Sequence, residues 1–288
     1  MESHTRIDLH MHTVFSDGTD LPEDMPVRAK EAGITLFSVT DHDSIKSSRI
    51  IPRLLKPDDP DYLPGAEFSC RDEEGKYHIL GYGYDPDSKA MMTLAELGHG
   101  IRMKKVMGRL DFLKTQFGFV FPEEELRELL EQENPGKPHI ANLMVKHGYA
   151  RTKEQAIAEY INRLRFRSEY VRPEEAIRYI LEGGGVPVLA HPSYGDGDQL
   201  IMGEEMENRL RRLMEYGLKG VEGFYSGFTP RIRREILDLA DKYGLYITAG
   251  SDYHGNNKLI SIGDTGLEED LPLPEGLQRF LTDMGKTT

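Results

Sequence analysis

The segment DLHMHTVFSDG, from Asp8 to Gly18, places two histidines and an aspartate directly after a short apolar strand. That strand is predicted over Arg6–Leu9, and the side chains of His10, His12 and Asp17 follow it within a turn. A His-x-His pair alone is as often a surface feature as a pair of metal ligands. The pattern gains weight because it recurs at other predicted strand ends.

Ligand-type side chains accompany six predicted strands in all. Since the carboxyl ends of parallel strands meet at one face of an α/β fold, these residues are expected to converge. They supply nine candidate metal ligands: His10, His12, Asp17, His42, Glu67, His78, His191, Asp252 and His254. Single members have simpler interpretations, because Asp43 could cap a helix and Glu222, inside an apolar strand, could be a buried ion-pair partner. Six such coincidences favour a metal site.

The chemistry of the nine candidates predicts the cofactor. Imidazole and carboxylate ligands without sulfur suit Mn, Fe or Zn alike. Nine ligands are too many for one tetrahedral ion, so we expect two or three divalent ions with bridging ligands. Paired ions can hold the attacking and leaving oxygens of an in-line displacement and lower the pKa of a bound water to about 7.

Strands alternate with amphipathic helices in both outer parts of the chain, which is typical of βαβ units and a mainly parallel sheet. A closed barrel and an open doubly wound sheet both fit this order. Residues 90–167 are helical in pattern throughout and predict an insert. The expected division is a main domain of residues 1–89 and 168–288, with 90–167 forming a substrate lid.

The composition bounds the partners and the location. The chain has 288 residues and a net charge of −13, which argues against binding to long duplex nucleic acid. Residues 98–172 nevertheless carry 14 basic and 10 acidic residues, so the insert is cationic and is either a solvated surface or a patch for an anionic substrate. No stretch approaches the ~20 apolar residues of a membrane span, and no secretory signal is evident. With a single cysteine, Cys70, these features predict a cytoplasmic protein.

Four motifs together resemble the polymerase-and-histidinol-phosphatase (PHP) superfamily of metal-dependent phosphoesterases. They are DLHMHTVFSDG at 8–18, SVTDHDS at 38–44, LAHP at 189–192 and GSDYH at 250–254, supported by PGAEFS at 64–69 and HILGY at 78–82. The resemblance spans nearly the whole chain and implies a distorted (β/α)7 TIM-like barrel with a helical insertion domain. It implies three ligand sets: His10, His12, Glu67 and Asp252; Asp17, His42 and His254; and Glu67, His78 and His191.

The insert is similar to that of a subgroup that hydrolyses nucleotide phosphates and short oligonucleotides. The shared stretch is GKPHIA at 136–141, where Lys137 replaces the usual arginine. Because lysine binds phosphate as a point charge rather than a two-pronged fork, affinity or selectivity could differ. Arg102, Lys137 and His139 are the predicted substrate contacts, and a capped, solvated helical lid is the alternative interpretation of all three.

These observations imply a phosphoric ester hydrolase that uses a metal-activated hydroxide. The expected substrate is a nucleoside 3′,5′-bisphosphate or monophosphate, with 5′-to-3′ trimming of short oligonucleotides as a further expectation. His191, Asp17 and Asp252 are the predicted catalytic residues, with either His191 or a water as the proton donor. The alternatives are a histidinol-phosphate phosphatase, a metal-dependent amidohydrolase or lactonase, and a non-catalytic metal-stabilised binding module. An amidohydrolase or lactonase would usually have a bridging lysine, and a non-catalytic binding module would have lost ligands. The sequence shows neither feature. The oligomeric state stays open.

Overall fold

The computed structural model describes residues 6–166, 169–195, 199–268 and 271–286, whose strands form two sheets. The first sheet is parallel and contains β1 (Ile7–Asp8), β2 (Leu36–Phe37) and β3 (Asp61–Tyr62). The second contains β4 (Gly65–Arg71), β5 (Lys76–Tyr82), β6 (Val186–Leu189), β7 (Gly220–Tyr225) and β8 (Tyr246–Gly250), paired in that order. The fold is therefore mixed α/β.

Most of the strand pairs are parallel, as the sequence pattern predicts, but β5 runs antiparallel to both β4 and β6. The cause is local, because the link between β4 and β5 is too short for a crossover. It forms a tight turn in which the Asp72 carboxylate accepts hydrogen bonds from the N–H groups of Glu74 and Gly75, at 2.9 and 3.1 Å. His78 consequently lies near the amino end of its strand, at the sheet edge where its parallel neighbours end.

The two sheets contact each other at both of their margins. Next to β1 and β8, the Leu9 N–H donates to the Ala249 carbonyl at 2.9 Å. Beyond β2, His42 forms a bridge to Glu67 of β4. Within the described ranges, however, the strands form two ladders and not one continuous barrel. The observed architecture thus supports a mixed α/β fold without a closed ring of pairing.

Helices cover the sheets with amphipathic faces. They are α1 (Met25–Glu31), α2 (Lys46–Ile50), α7 (Pro173–Glu182), α8 (Gly203–Glu215), α9 (Pro230–Tyr243) and α10 (Glu275–Asp283). In α9 the buried residues Ile232, Ile236 and Leu239 follow helical spacing. The Thr229 side chain caps its first turn, and Gly244 ends it in the left-handed conformation.

Between β5 and α7 the chain is helical, as the sequence pattern predicts. This region contains α3 (Lys89–Phe117), α4 (Glu123–Glu131), α5 (Lys137–Lys146) and α6 (Lys153–Gln155), followed by short helical turns. The 29-residue α3 belongs to two cores. Met91 and Leu94 pack in the main core, whereas Val106 and Leu113 pack in the separate core of the insert. None of the helices in the described ranges combines the length and apolar character that crossing a membrane requires.

Candidate metal centre

The first and last strands bring two buried histidines beside an aspartate. His10 and His12 alternate with Met11, so both imidazoles leave the extended chain on the same side. The His10 carbonyl accepts a hydrogen bond from the Asp252 N–H at 2.8 Å, and the Tyr253 carbonyl accepts one from the His12 N–H at 2.8 Å. Main-chain pairing therefore unites residues that are far apart in sequence.

Glu67 of β4 lies at the middle of the cluster, and its two oxygens face different imidazoles. Oε2 lies 3.2 Å from His10 Nε2, 3.3 Å from His12 Nε2 and 3.1 Å from His42 Nδ1. Oε1 lies 2.8 Å from His78 Nδ1 and 3.1 Å from His191 Nε2. A carboxylate surrounded in this way is arranged to bridge neighbouring cations.

Asp17 forms a second focus at the edge of the cluster. Its Oδ1 lies 3.2 Å from His254 Nε2 and 3.9 Å from both His12 Nδ1 and His42 Nε2. Burial opposes ionisation of this carboxyl, but His254 and His42 hold its pKa well below the usual range. A fixed negative charge therefore faces three imidazoles.

Three buried polar atoms test whether the residues present fit metal ions. His12 Nε2, Asp17 Oδ1 and His42 Nδ1 have no hydrogen-bond partner among the described residues. Each still lies within 3.3 Å of a nitrogen or oxygen of another candidate ligand. Because buried polar atoms are almost always partnered, this convergence without hydrogen bonding requires an explanation. A shared cation satisfies it, and the nitrogen and oxygen donor set fits Mn, Fe or Zn.

Three groups of atoms within 4.8 Å of one another could each hold an ion. They are His12, Asp17, His42 and His254; His10, His12 and Glu67; and His42, Glu67 and His78. The implied sets gave His12 and His42 to one ion each, whereas here both face two groups. His191 and Asp252 adjoin these groups, at 3.1 Å from Glu67 Oε1 and 3.2 Å from His12 Nε2. All nine predicted positions therefore lie in one cluster.

Burial and charge act in opposite directions on the imidazoles. Burial disfavours protonation of His12, yet the Asp252 and Glu67 carboxylates raise its pKa to about 9. At His78 burial prevails and lowers the pKa to about 4. Burial also opposes ionisation of Glu67, but His42 and His78 hold its pKa well below the usual range. The carboxylates thus supply negative charge inside the cluster.

Glu222 on β7 is a buried ion-pair partner, as one interpretation of the sequence had it, and its partner His10 belongs to the cluster. Its Oε1 is 2.9 Å from His10 Nδ1, and its Oε2 accepts a hydrogen bond from the His191 N–H at 2.7 Å. The residue has no exposed surface. Carboxylates that bind the outer nitrogen of a ligand histidine fix its orientation and tautomer. An acidic residue inside an apolar strand was the available signal.

Asp41 performs a similar task for the turn that carries Asp17. It is fully buried and accepts hydrogen bonds from the Thr13 N–H and hydroxyl, both at 2.7 Å, and from the Ser16 hydroxyl at 2.8 Å. These bonds hold the loop after His12 against the end of β2. Nothing in the sequence distinguishes Asp41 from the potential ligands beside it.

The backbone is strained at three turns beside the cluster. Asp43, His191 and Asp252 have φ values of 52°, 27° and 60°, in the left-handed region that non-glycine residues rarely adopt. Each follows a strand or bridge that contributes a ligand. Such conformations cost roughly 1–3 kcal/mol each and persist where surrounding contacts enforce them.

Solvent reaches the cluster from one side. The side chains of Asp17, His42, His78 and His191 are 11–16% exposed, whereas His10 and His12 have no exposure and Glu67 has 1%. The partly exposed members therefore form the mouth, and the others form the floor.

The predicted substrate contacts occupy different positions beside this mouth. Arg102 donates from Nε and Nη2 to Asp43 Oδ2, at 3.0 and 2.7 Å, directly beside His42. Lys137 donates to Asn162 Oδ1 at 2.6 Å, and His139 Nδ1 accepts from the Gly136 N–H at 2.9 Å. Arg102 is thus attached to a ligand-bearing turn, whereas Lys137 and His139 make contacts within the insert.

Comparisons with known proteins agree with this geometry. Residues 8–263 match the family model described as "PHP domain". A protein of Eggerthella lenta named phosphoribosyl 1,2-cyclic phosphate 1,2-diphosphodiesterase is 30% identical, over 86% of this chain and 94% of its own length. A 3′,5′-nucleoside bisphosphate phosphatase of Chromobacterium violaceum is 26% identical, over 92% of each chain. A structure from Bifidobacterium adolescentis, described as a metal-dependent phosphoesterase, superposes with a TM-score of 0.80 at 26% identity and covers 96% of both chains.

Proposed function

The chain belongs to the PHP domain family, and from this membership we infer that it is a metal-dependent phosphoesterase that hydrolyses phosphate esters of nucleotides. The observation that carries the proposal is the buried cluster around Glu67, in which three ligand atoms find no hydrogen-bond partner among the described residues. Names of relatives alone would indicate a reaction class. The cluster supports the proposal because it brings together side chains of the types that this reaction class uses.

We assign the nine clustered side chains to two or three divalent ions of Mn, Fe or Zn. Such ions, when bound, supply Lewis acidity toward phosphate oxygens and lower the pKa of a water to about 7. Glu67 would bridge because its oxygens face two sets of imidazoles. His12 and His42, which each face two groups, would set the spacing of the ions.

The chain's own residues perform the remaining tasks in this proposal. Asp17, Asp252 and His191 are proposed to contact the reacting phosphate, and the partial exposure of Asp17 and His191 supports this. His191 is our candidate proton donor to the leaving hydroxyl. Glu222 accepts a hydrogen bond of 2.7 Å from the His191 N–H. This bond holds the backbone of His191 in place and so helps to position its imidazole.

A nucleotide is the substrate that the surroundings of the mouth favour. Arg102 brings positive charge beside His42, and Lys137 and His139 at the start of α5 are proposed to contact the substrate as the helical insert closes over it. Relatives named for a bisphosphate and for a cyclic ribose phosphate support a phosphorylated nucleoside or ribose. Short oligonucleotides remain a second proposed substrate. The acidic remainder of the chain disfavours long duplexes.

Two architectural details belong to the same proposal. The contacts at both margins of the sheets support a distorted (β/α)7 barrel formed by residues 1–89 and 168–288. The separate core of the insert supports residues 90–167 as a distinct lid over the mouth. The cytoplasmic location inferred from the sequence stays a prediction.

The test is phosphate release by metal-reconstituted protein. The panel contains a nucleoside 3′,5′-bisphosphate, nucleoside monophosphates, a ribose cyclic phosphate, a short oligonucleotide and histidinol phosphate, with cleavage of the cyclic ester followed by chromatography. His42→Ala should lower turnover at least a hundredfold. His147→Ala is the matched control, because His147 pairs with Glu125 within the insert at 2.6 Å.

The outcomes separate the alternatives. Metal-dependent turnover of nucleotides, lost in His42→Ala and kept in His147→Ala, supports the proposal. Turnover of histidinol phosphate alone would transfer the function to that reaction. If metal-loaded protein hydrolyses no phosphate ester but cleaves amides or lactones, the phosphoesterase assignment is wrong.

A further inference from the structure

A row of basic side chains lies along one face of α3. It begins beside the metal cluster and extends away from it along the helix. Arg102, Lys105 and Arg109 are spaced by three and four residues, so their side chains lie on the same side of the helix. Lys105 is 8% exposed and Arg109 is 7% exposed, unusually low values for basic residues. The helical rise places Arg109 roughly 10 Å beyond Arg102.

Among the described residues, fewer carboxylates than basic side chains lie along this row. Arg102 is paired with Asp43. For Lys105 and Arg109, the described part of the chain provides no carboxylate within salt-bridge distance, and the buried Arg109 Nε has no hydrogen-bond partner. Burial lowers the pKa of Lys105 to about 7, and Arg102 and Arg109 add to this while Asp43 opposes it. The fold therefore buries two basic side chains for which the described residues provide no fixed anion.

Aromatic contacts only partly compensate for this. Lys105 Nζ lies 3.8 Å from the centre of the Tyr170 ring, and the Arg109 guanidinium lies 5.0 Å from that of Phe166. A cation–π contact is weak compared with the hydration that a basic group loses on burial. A bound anion would offset the remaining cost.

We propose that Lys105 and Arg109 form a second anion site, which binds a phosphate group of the substrate other than the one that is hydrolysed. This inference rests on the proposed nucleotide phosphoesterase activity and extends it to substrates with two phosphate groups. Arg102 connects the two sites, because it contacts Asp43 beside the ligand His42. A substrate with one phosphate at the metal cluster would direct its second phosphate along α3.

The ligand chemistry is a phosphate monoester or diester, and it has two sources. One is the second phosphate of a nucleoside 3′,5′-bisphosphate, and the other is the neighbouring phosphate of a short oligonucleotide. Guanidinium and ammonium groups recognise both through charge-assisted hydrogen bonds. Separate substrate series therefore have to distinguish them.

The experiment measures kcat/KM of the metal-loaded enzyme for three substrates: a nucleoside 3′,5′-bisphosphate, the matching monophosphates and a 5′-phosphorylated dinucleotide. It compares wild type with Lys105→Met/Arg109→Met. We expect the ratio of bisphosphate to monophosphate kcat/KM to fall at least tenfold, mainly through KM. Lys104→Met is the matched control, since this lysine is the exposed neighbour on the same helix and loses the same charge.

A second measurement keeps the test independent of turnover. Inorganic sulfate should raise the melting temperature of the wild-type metal-loaded enzyme more than that of the double variant. If the double variant does not fold, Lys105→Gln and Arg109→Gln are measured singly in both assays. A fall in kcat/KM for the dinucleotide alone would assign the site to oligonucleotides. A fall in kcat/KM for the bisphosphate alone would assign it to mononucleotides.

The results distinguish a failure of the second anion site from a failure of the proposed phosphoesterase activity. Equal changes for mono- and bisphosphates, with an unchanged sulfate response, would show that the cations are structural and overturn this inference while leaving the phosphoesterase intact. If wild type hydrolyses no phosphate ester, the proposed function fails first. In that case an equal sulfate response in wild type and variant would overturn the anion site as well.

Discussion

The Glu222 carboxylate is shared between two residues of the metal cluster and is fully buried. One oxygen faces His10 Nδ1, and the other accepts the His191 N–H. Glu222 therefore fixes a floor histidine and a mouth histidine with one buried charge. Because both contacts require an acceptor, the residue type matters as much as its size.

We predict that Glu222→Gln weakens metal binding about 10- to 100-fold, the range typical when a partner of a ligand histidine is lost. Glutamine offers one acceptor and one NH₂ donor, so either His10 or the His191 N–H loses its acceptor. Competition against a chelating dye measures the affinity. Glu182→Gln is the control, because Glu182 lies in an exposed i,i+4 pair with Arg178. Equal metal affinity in both variants would contradict the orienting role.

At the scale of elements, α3 links the insert to the metal cluster. The helix passes so close to the turn after β2 that only glycine fits at position 98. A Cβ atom there would lie 2.8 Å from Asp43 Cβ and 2.9 Å from Asp43 Oδ1. At Gly100, two residues later on the same helix, a Cβ would meet no atom within 4 Å. Substitutions at these two glycines therefore distinguish the effect of close packing, at position 98, from the effect of helix propensity alone, at position 100.

We predict that Gly98→Ala and Gly100→Ala change the free energy of unfolding in opposite directions. Alanine at 100 should stabilise by up to about 1 kcal/mol through helix propensity. Alanine at 98 should destabilise by about 1–3 kcal/mol, because Asp43 is displaced by overpacking. Gly98→Ala should also lower turnover, since Asp43 adjoins His42. Urea unfolding and kcat/KM measure both effects, and stabilisation by both substitutions would refute the close approach.

At the scale of the whole molecule, the cluster joins parts of the chain that are distant in sequence. It contains residues from the segments after β1 and β2, from β4 and β5, and from the segments after β6 and β8. The cluster contains three carboxylates, and each lies close to an imidazole. They belong to Asp17, Glu67 and Asp252. Ions that bind only this folded arrangement must stabilise the whole fold.

We predict that removing metal with a chelator lowers the melting temperature by roughly 5–10 °C, for a metal concentration of about 100 times Kd before removal. Adding Mn or Zn should restore it. Calorimetry of wild type, His42→Ala and His147→Ala checks this. His147→Ala should respond like wild type, and His42→Ala should respond less. A melting temperature that is unaffected by chelation, with metal loss measured, would rule out a metal-stabilised fold.

The sequence determined the side chains of the site and the helices that surround it. His10, His12, Glu67 and Asp252 were predictable as ligand types because polar motifs after apolar strands are local features. The same holds for α9, whose apolar residues recur at helical spacing between a threonine cap and a terminal glycine. Such signals lie within a few residues of one another, so they can be recognised without knowing the fold.

Only the tertiary structure decided how these residues meet. The pairing of β5 with β6, the two groups that His12 faces and the support from Glu222 all depend on contacts between distant segments. The burial of Lys105 and Arg109, with no carboxylate of the described residues within salt-bridge distance, depends on such contacts as well. A sequence specifies which groups are present, but distances among residues far apart in the chain follow from the packing of the whole molecule.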